Sequence, residues 1–399
     1  MWVMSSSSRK GLKTDEILGA VRLATGPDDE ETSESSLLPL CRHFLVIDSR
    51  GFWRFSHLSV MEYFEDHHWS MMQAHCRVSK ACLQWLNTYY HQRAEEAPAH
   101  QPDEKPDLPF QPRGIEEYMT YHWFEHVEKY EKLIARGEHD PDSDLSQLLK
   151  TFLGGPGDTS PEYRAWHRHY NYDRSQEEKG DGPPKRLYSL LRMDIGNQEV
   201  SIFLMCRCGF YILLRDWWSS AEFPISLGDG MGQSLLSIAA RKGSIQMCKE
   251  LVGRGMPVNQ LSCTTSDHGN MVGSALIGAT AGGCVDVVKY LIEKGASVNL
   301  LARSGQYGSP LIAAATKGHM ITVQLLLDYQ ADPNLMAQDG FSGSPLIAAA
   351  VRGKLEIVNC LLDHGADPNL MPQHGSSGSP LIAAAACGKL DIVNCLLDH

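Results

Sequence analysis

The residues best suited to chemistry in this chain are a His-Trp-Phe-Glu-His run from His122 to His126. On a helix, histidines four apart share a face and can hold zinc, with the intervening glutamate as base. Such a centre also needs a third protein ligand and an open coordination position, and the sequence nominates no third ligand. The run therefore reads as two partly exposed helix histidines. Cys206-Arg207-Cys208 is the closest cysteine pair, but no second pair completes a zinc tetrahedron. His57 beside Leu58-Ser59 reads as a packed or capping histidine, and no serine stands in a G-x-S-x-G elbow. No segment supplies the G-x-x-x-x-G-K-[ST] cradle that phosphate and magnesium require. The expectation is a chain without catalytic residues, metal ligands or a cofactor.

Composition narrows the alternatives. The chain has 399 residues and a formal charge of -12. From Gly228 onward there are 11 Lys and Arg against 13 Asp and Glu, so that part is close to neutral, while residues 1–227 carry -10. Neither part has the basic surplus of a phosphate-backbone binder, which argues against nucleic acid as partner. The eleven cysteines are odd in number and widely spaced, with Cys284, Cys360, Cys387 and Cys395 falling in periodic apolar segments as small fillers. That usage points to a reducing compartment, the cytoplasm with the nucleus also open. The first residues lack an apolar signal core. The most apolar window, Val200 to Leu214, is about 15 residues long and broken by Arg207, too short for a bilayer span.

The elements that would position any site come from repetition. Ser274, Ser309, Ser344 and Ser379 each open an apolar run, and Ser234 opens a weaker one. A glycine follows nine residues after each serine, at 243, 283, 318, 353 and 388, with spacings of 40, 35, 35 and 35. Within a copy, Ser309 caps, Pro310 takes the first helical position, and Leu311 to Lys317 is an alanine-rich helix that Gly318 stops. A second helix follows, with Ile321, Val323, Leu325, Leu326 and Leu327 as its apolar face, then a turn of the type Gly365-Ala366-Asp367-Pro368-Asn369. One such helix pair cannot bury its apolar side alone, whereas stacked copies share a continuous core. Ile202 to Gly209 aligns with Leu311 to Gly318, giving a degenerate first copy and six units in all. The five additional residues of the longest unit are expected within Leu261 to Val272. Glutamine at 330 stands where the other copies have glycine, so that helix is expected to end less tightly. The last helix ends at Asp398-His399 without the turn that follows earlier units, which suggests lost repeats or a fraying end.

This pattern resembles the ankyrin repeat. It departs mildly, with isoleucine (Ile312, Ile347, Ile382) where the family usually has histidine after Pro-Leu. The resemblance implies a solenoid whose partner is another protein, of unknown identity, bound through hairpin tips and the exposed side of first helices. By that analogy Gln306, Tyr307, Phe341 and His374 are tip candidates, and Thr316, Lys317, Arg352 and Cys387 are helix candidates.

The first half reads as helix, hairpin and helices. Leu12 to Leu18 begins a capped helix. Phe44 to Asp48 and Phe52 to Phe55 form a hairpin across Ser49-Arg50-Gly51, and a helix spans Met72 to Tyr89. Ile115 to Phe152 reads as two helices, and no core is obvious near Tyr163 to Tyr172. The phrase "HFLVIDSRGFWRFSHLSVMEYF", with "AHCRVSKACLQWL" after it, resembles the winged-helix-like segment of fungal NACHT-type signalling NTPases, and "EYMTYHWFEHV" resembles their helical connector. The absent phosphate cradle withholds that family's NTPase activity from this chain. The alternative function is then a regulatory or sensor portion of a NACHT-type signal-transduction NTPase. The expected fold is mainly α, an ankyrin-repeat solenoid preceded by a small winged-helix-like α+β region and a helical connector. Its divisions are residues 1–35 (partial helix and acidic loop), 36–93 (winged-helix-like), 94–112 (acidic, proline-rich linker), 113–190 (connector) and 191–399 (repeats).

Overall fold

The computed structural model describes residues 12–25, 45–50, 52–55, 70–96, 115–137, 140–155, 158–175, 201–220, 228, 232–261, 273–302, 307–337, 343–371 and 378–399. They form two compact units. One contains the described residues up to 175 together with Ser201 and 210–220, and the other contains 202–209 and the described residues from 228 onward.

The first unit is α+β at its start and helical thereafter. Strand β1 (Leu12–Lys13) leads directly into α1 (Thr14–Thr25), and β2 (Leu45–Ile47) and β3 (Phe52–Phe55) make the expected hairpin. Both β1 and β2 pair antiparallel with β3, giving the order β1-β3-β2. Leu12 and Lys13 thus belong to a strand, not to the helix that their spacing suggested. They lie opposite Trp53 and Phe52 on the free edge of β3, and an open edge recruits whatever backbone can satisfy it. Trp53 is fully buried and its indole N–H donates to the Thr14 hydroxyl at 3.0 Å, fastening sheet to helix.

Four longer elements follow, α2 (Met71–Glu96), α3 (Ile115–Ile134), α4 (Ser143–Leu153) and α5 (Pro161–Ser175). Helix α2 packs on α3, α4 and α5, and α1 packs on α3. Gly19 of α1 meets the side chain of Ile115 so closely that no Cβ would fit there. The region Tyr163 to Tyr170, without an evident core in the sequence, supplies much of the unit's centre. Tyr163, Trp166 and Tyr170 are all fully buried. Their i, i+3, i+7 spacing is an apolar helix stripe, diluted in the sequence by Arg164, His167, Arg168 and His169 between them.

The second unit opens with α6 (Ser201–Cys208), whose residues Ile202 to Cys206 are buried and which ends on Gly209 at φ +79°. The chain then forms α7 (Arg215–Ser220), which groups with the first unit. Five helix pairs follow: α8 (Leu235–Lys242) with α9 (Ile245–Gly253), α10 (Ala275–Gly282) with α11 (Val285–Glu293), α12 (Pro310–Lys317) with α13 (Met320–Asp328), α14 (Pro345–Val351) with α15 (Leu355–Asp363), and α16 (Pro380–Ala386) with α17 (Leu390–Leu397). First helices stack on first helices, from α8 through α10, α12 and α14 to α16.

Local chemistry explains each pair. Ser234, Ser274, Ser309, Ser344 and Ser379 all accept a hydrogen bond from the amide three residues on, as capping requires. Gly318 turns left-handed at φ +78° and its N–H closes on Ala314 O and Ala315 O. Neighbouring turns are tied by asparagine. The Asn334 side chain donates to Gly365 O at 2.9 Å and accepts from Asp367 N at 2.8 Å, and Asn299 and Asn259 make the same two bonds one and two units earlier. The segment 262–272 lies outside the described residues, as do the phrase Ser56 to Phe64 and the segments 97–114 and 176–200.

Two expectations within the repeats need correction. Ile321 is 71% exposed, and the buried face of α13 is Thr322, Val323, Leu326 and Leu327. In the 35-residue register Ile321 occupies the outward position that holds Glu356 and Asp391 in the next two copies. Gln330 also does not loosen its helix. It adopts φ +62°, the sole non-glycine positive φ among the described residues, and Gln330 N bonds Leu327 O at 2.9 Å as Gly365 N bonds Leu362 O at 2.9 Å. The neighbouring repeats impose the same geometry, and the side chain bears a left-handed strain of about 1–2 kcal/mol. Gln330→Gly is accordingly expected to stabilise the array by about 0.5–1 kcal/mol after glycine's own entropy is counted. Urea unfolding followed by circular dichroism tests this, and an unchanged or lowered midpoint would refute the strain.

Candidate functional site

The first helices α12 and α14 leave little free surface. Pro310 to Ala315 of α12 and Pro345 to Ala350 of α14 are buried, because alanine side chains let neighbouring helices approach on both sides. Side chains emerge where these helices end. Lys317 closes α12 and Arg352 caps α14, and both are exposed, as is Cys387 at the equivalent position after α16. Cys387 is thus a surface thiol, not a core filler, whereas Cys206, Cys208, Cys248 and Cys360 are buried.

Two nominated contact residues are turned inward. Thr316 is 7% exposed and donates its hydroxyl proton to Ile312 O at 2.7 Å, so it serves its own helix. Tyr307 is 1% exposed and packs in a cluster with Ile277, Ala281, Ala302 and Ala313. The alanines leave a space that the aromatic ring fills, and the strong gain from burying a ring outweighs its position before a loop tip. The Lys317 ammonium lies 5.8 Å from the centre of that ring. Gln306, Phe341 and His374 lie outside the described residues.

The histidine run is committed elsewhere. His126 is fully buried instead of partly exposed, its Nε2 2.7 Å from the Tyr118 hydroxyl and its Nδ1 3.0 Å from Nδ1 of His75 on α2. Both ring nitrogens are therefore engaged, Nδ1 in holding α2 to α3 and Nε2 within α3. Burial pushes both imidazoles toward the neutral form, His75 down to about 4, with Lys129 adding to the effect. His122 stacks on Tyr118 at 4.7 Å. Among the described residues no group of three or more His, Cys, Asp or Glu is arranged to hold a metal ion. No described helix is long and apolar enough to cross a membrane.

Sequence reasoning missed Glu131. This glutamate of α3 is 5% exposed, and its carboxylate accepts backbone N–H groups from Tyr211 at 2.7 Å, from Ile212, and from Leu213 at 3.2 Å. Three consecutive amides aimed at one anion form a nest just ahead of α7. Burial nevertheless dominates over these donors and raises the carboxyl to about 7. Nothing local marks the residue, since its partners stand 80 and more positions away.

Comparison with known proteins agrees with the repeat geometry. The family model described as ankyrin repeats matches three times, over residues 203–302, 276–372 and 311–399. A curated relative, a putative ankyrin repeat-containing protein of Treponema pallidum (strain Nichols), is 36% identical over 86 residues, which is 22% of this chain and 27% of the relative. The chain thus spans about a quarter of that relative's length.

Proposed function

Because residues 203–399 carry ankyrin repeats, we propose that this chain is a protein–protein interaction module without catalysis of its own. The observation that carries the reading is the division of labour within each unit. The first helices α12 and α14, of near-identical sequence, are buried and make the scaffold, and side chains that differ between units, Lys317, Arg352 and Cys387, are exposed where first helices end. The partner is another protein, and Lys317, Arg352 and Cys387 belong to the contact surface together with the tip residues Gln306, Phe341 and His374. No cofactor takes part, and a cytoplasmic location with the nucleus open suits the free thiols.

The test is capture of partners by the full chain and by a variant with Gln306, Lys317, Phe341, Arg352 and His374 all changed to alanine. Capture is expected to fall by about tenfold or more with helical content unchanged, since interface energy concentrates in a few residues. Retention of every partner at wild-type level would exclude those positions as the binding surface.

The small unit of α1 with the sheet β1-β3-β2 supports a second reading, a winged-helix-like region. On that reading the chain is a regulatory portion of a NACHT-type signalling NTPase whose nucleotide site is carried elsewhere. A transcript that places a phosphate-cradle sequence in frame ahead of Met1 would favour it, and its absence from the full transcript would remove it.

A further inference from the structure

We propose that the two junctions at Gly318 and Gly353, to which the last three repeats contribute cations, form a basic rail for an extended acidic segment of a partner protein, read at every third residue. The inference rests on the protein-binding reading and specifies the partner's chemistry.

Two cations from consecutive repeats converge at each of two junctions. At Gly318, the exposed Lys317 is joined by Lys354 of the next unit, whose Cε and Nζ lie 2.6 and 3.0 Å from where a Cβ on Gly318 would stand. At Gly353, the exposed Arg352 is joined by Lys389, whose Cε and Nζ lie 3.0 and 3.4 Å from the corresponding point. Among the described residues none of these four cations is ion-paired with a carboxylate. The acids of the same units lie mostly at the far end of the second helices and in the turns, at Asp328, Asp332, Asp363 and Asp367. Glu356 and Asp391 are nearer, on the first turn of α15 and α17, and are exposed. The negative ends of α12 and α14 favour a cation at each junction, but a helix end carries only about half a charge. Two cations beside it leave positive potential that an anion would neutralise.

Geometry selects the form of that anion. Stacked helices stand about 8–10 Å apart, and an extended chain in the polyproline II form advances about 3.1 Å per residue with three residues per turn. Three residues of such a segment therefore pass one repeat and return to the same face, so carboxylates at i and i+3 meet the two junctions. The array as a whole is close to neutral, 11 Lys and Arg against 13 Asp and Glu from Gly228 onward, so the attraction belongs to this face.

The test uses the full chain and three fluorescent peptides of one length: glutamate at every third position with serine and glycine between, the same residues with the glutamates contiguous, and lysine in place of glutamate. The spaced acidic peptide is expected to bind, to weaken as salt screens the contact over about 8–10 Å, and to outcompete the other two. Lys317→Glu with Arg352→Glu is expected to lower its affinity about tenfold or more, two reversed surface charges together amounting to one decade in Kd. Both side chains are exposed, and circular dichroism verifies that the variant folds. No binding of the spaced peptide, equal binding by the double variant, or tighter binding of a single-stranded oligonucleotide of equal charge overturns the rail. Selection from a random peptide library separates the two readings. Winners without acidic bias leave protein binding standing and remove the rail, while a selection that yields no binder to the wild-type chain counts against both.

Discussion

Trp166→Ala is expected to destabilise the N-terminal unit by about 3–5 kcal/mol, the range for deleting a buried aromatic ring. The indole is fully buried. It meets Trp123 edge-on at 5.8 Å and Phe152 at 6.0 Å between centroids, and lies tilted against Tyr163 at 5.4 Å. Its N–H donates to Thr120 O at 2.9 Å, joining α5 to α3. Alanine would open a cavity walled by rigid rings that cannot collapse into it, and would leave the Thr120 carbonyl without that donor. Trp166→Phe should keep most of the packing and cost about 1 kcal/mol for the lost hydrogen bond alongside a small cavity. All eight tryptophans precede Gly228, so tryptophan fluorescence during urea unfolding reports on this part of the chain without signal from the later repeats. A fluorescence midpoint for the alanine variant within error of wild type would sink the account of the aromatic core.

Glu131 is expected to show both a large truncation effect and a pH signature. Glu131→Ala strands the amides of Tyr211, Ile212 and Leu213, and unsatisfied buried groups cost about 1–3 kcal/mol each, so a loss of about 3 kcal/mol or more is expected. The carboxyl is raised by burial from 4.5 to about 7 in the folded chain. A raised folded-state value means that the native state holds the proton more tightly than the unfolded state. The corresponding stabilisation is full below about pH 4.5 and is lost as pH rises through about 7. Each pH step of one between those two values changes stability by about 1.4 kcal/mol, so the whole window amounts to a difference on the order of 3 kcal/mol. Glu131→Gln carries no titrating proton. Stability of wild type minus that of the glutamine variant should therefore fall from pH 4.5 to about pH 8, other groups cancelling in the comparison. A difference that stays level across the window would show that the carboxylate remains charged throughout, held by its three amide donors.

The repeats were legible because their determinants are local. A serine three residues before the amide that it caps, proline at a first helical position and glycine where φ turns positive each act within one turn of chain, and the spacing of 35 states how often they recur. Gln330 marks the limit of such reasoning. Its side chain disfavours φ +62°, yet Ala331 N bonds Leu326 O at 2.9 Å, as Ala366 N bonds Leu361 O at 2.9 Å one unit later. Packing against both neighbours overrides one local preference. Ile321 could have been placed correctly from sequence, since the acids aligned with it in the next two copies mark an outward position.

The first half was less legible for the opposite reason. His126 reads as one of a surface pair on a helix until α2 brings His75 to it from 51 residues away. Glu131 reads as an ordinary helix charge until the turn at 211–213 supplies its donors. The sequence by itself determined where helices of the repeats start, stop and recur, because capping and left-handed turns are written in neighbouring residues. Only the tertiary structure decided which polar residues are spent inside and which face outward. Thr316 and Tyr307 were drawn into the scaffold while Lys317 and Arg352 remained outside, because burial depends on what the next repeat presses against each side chain.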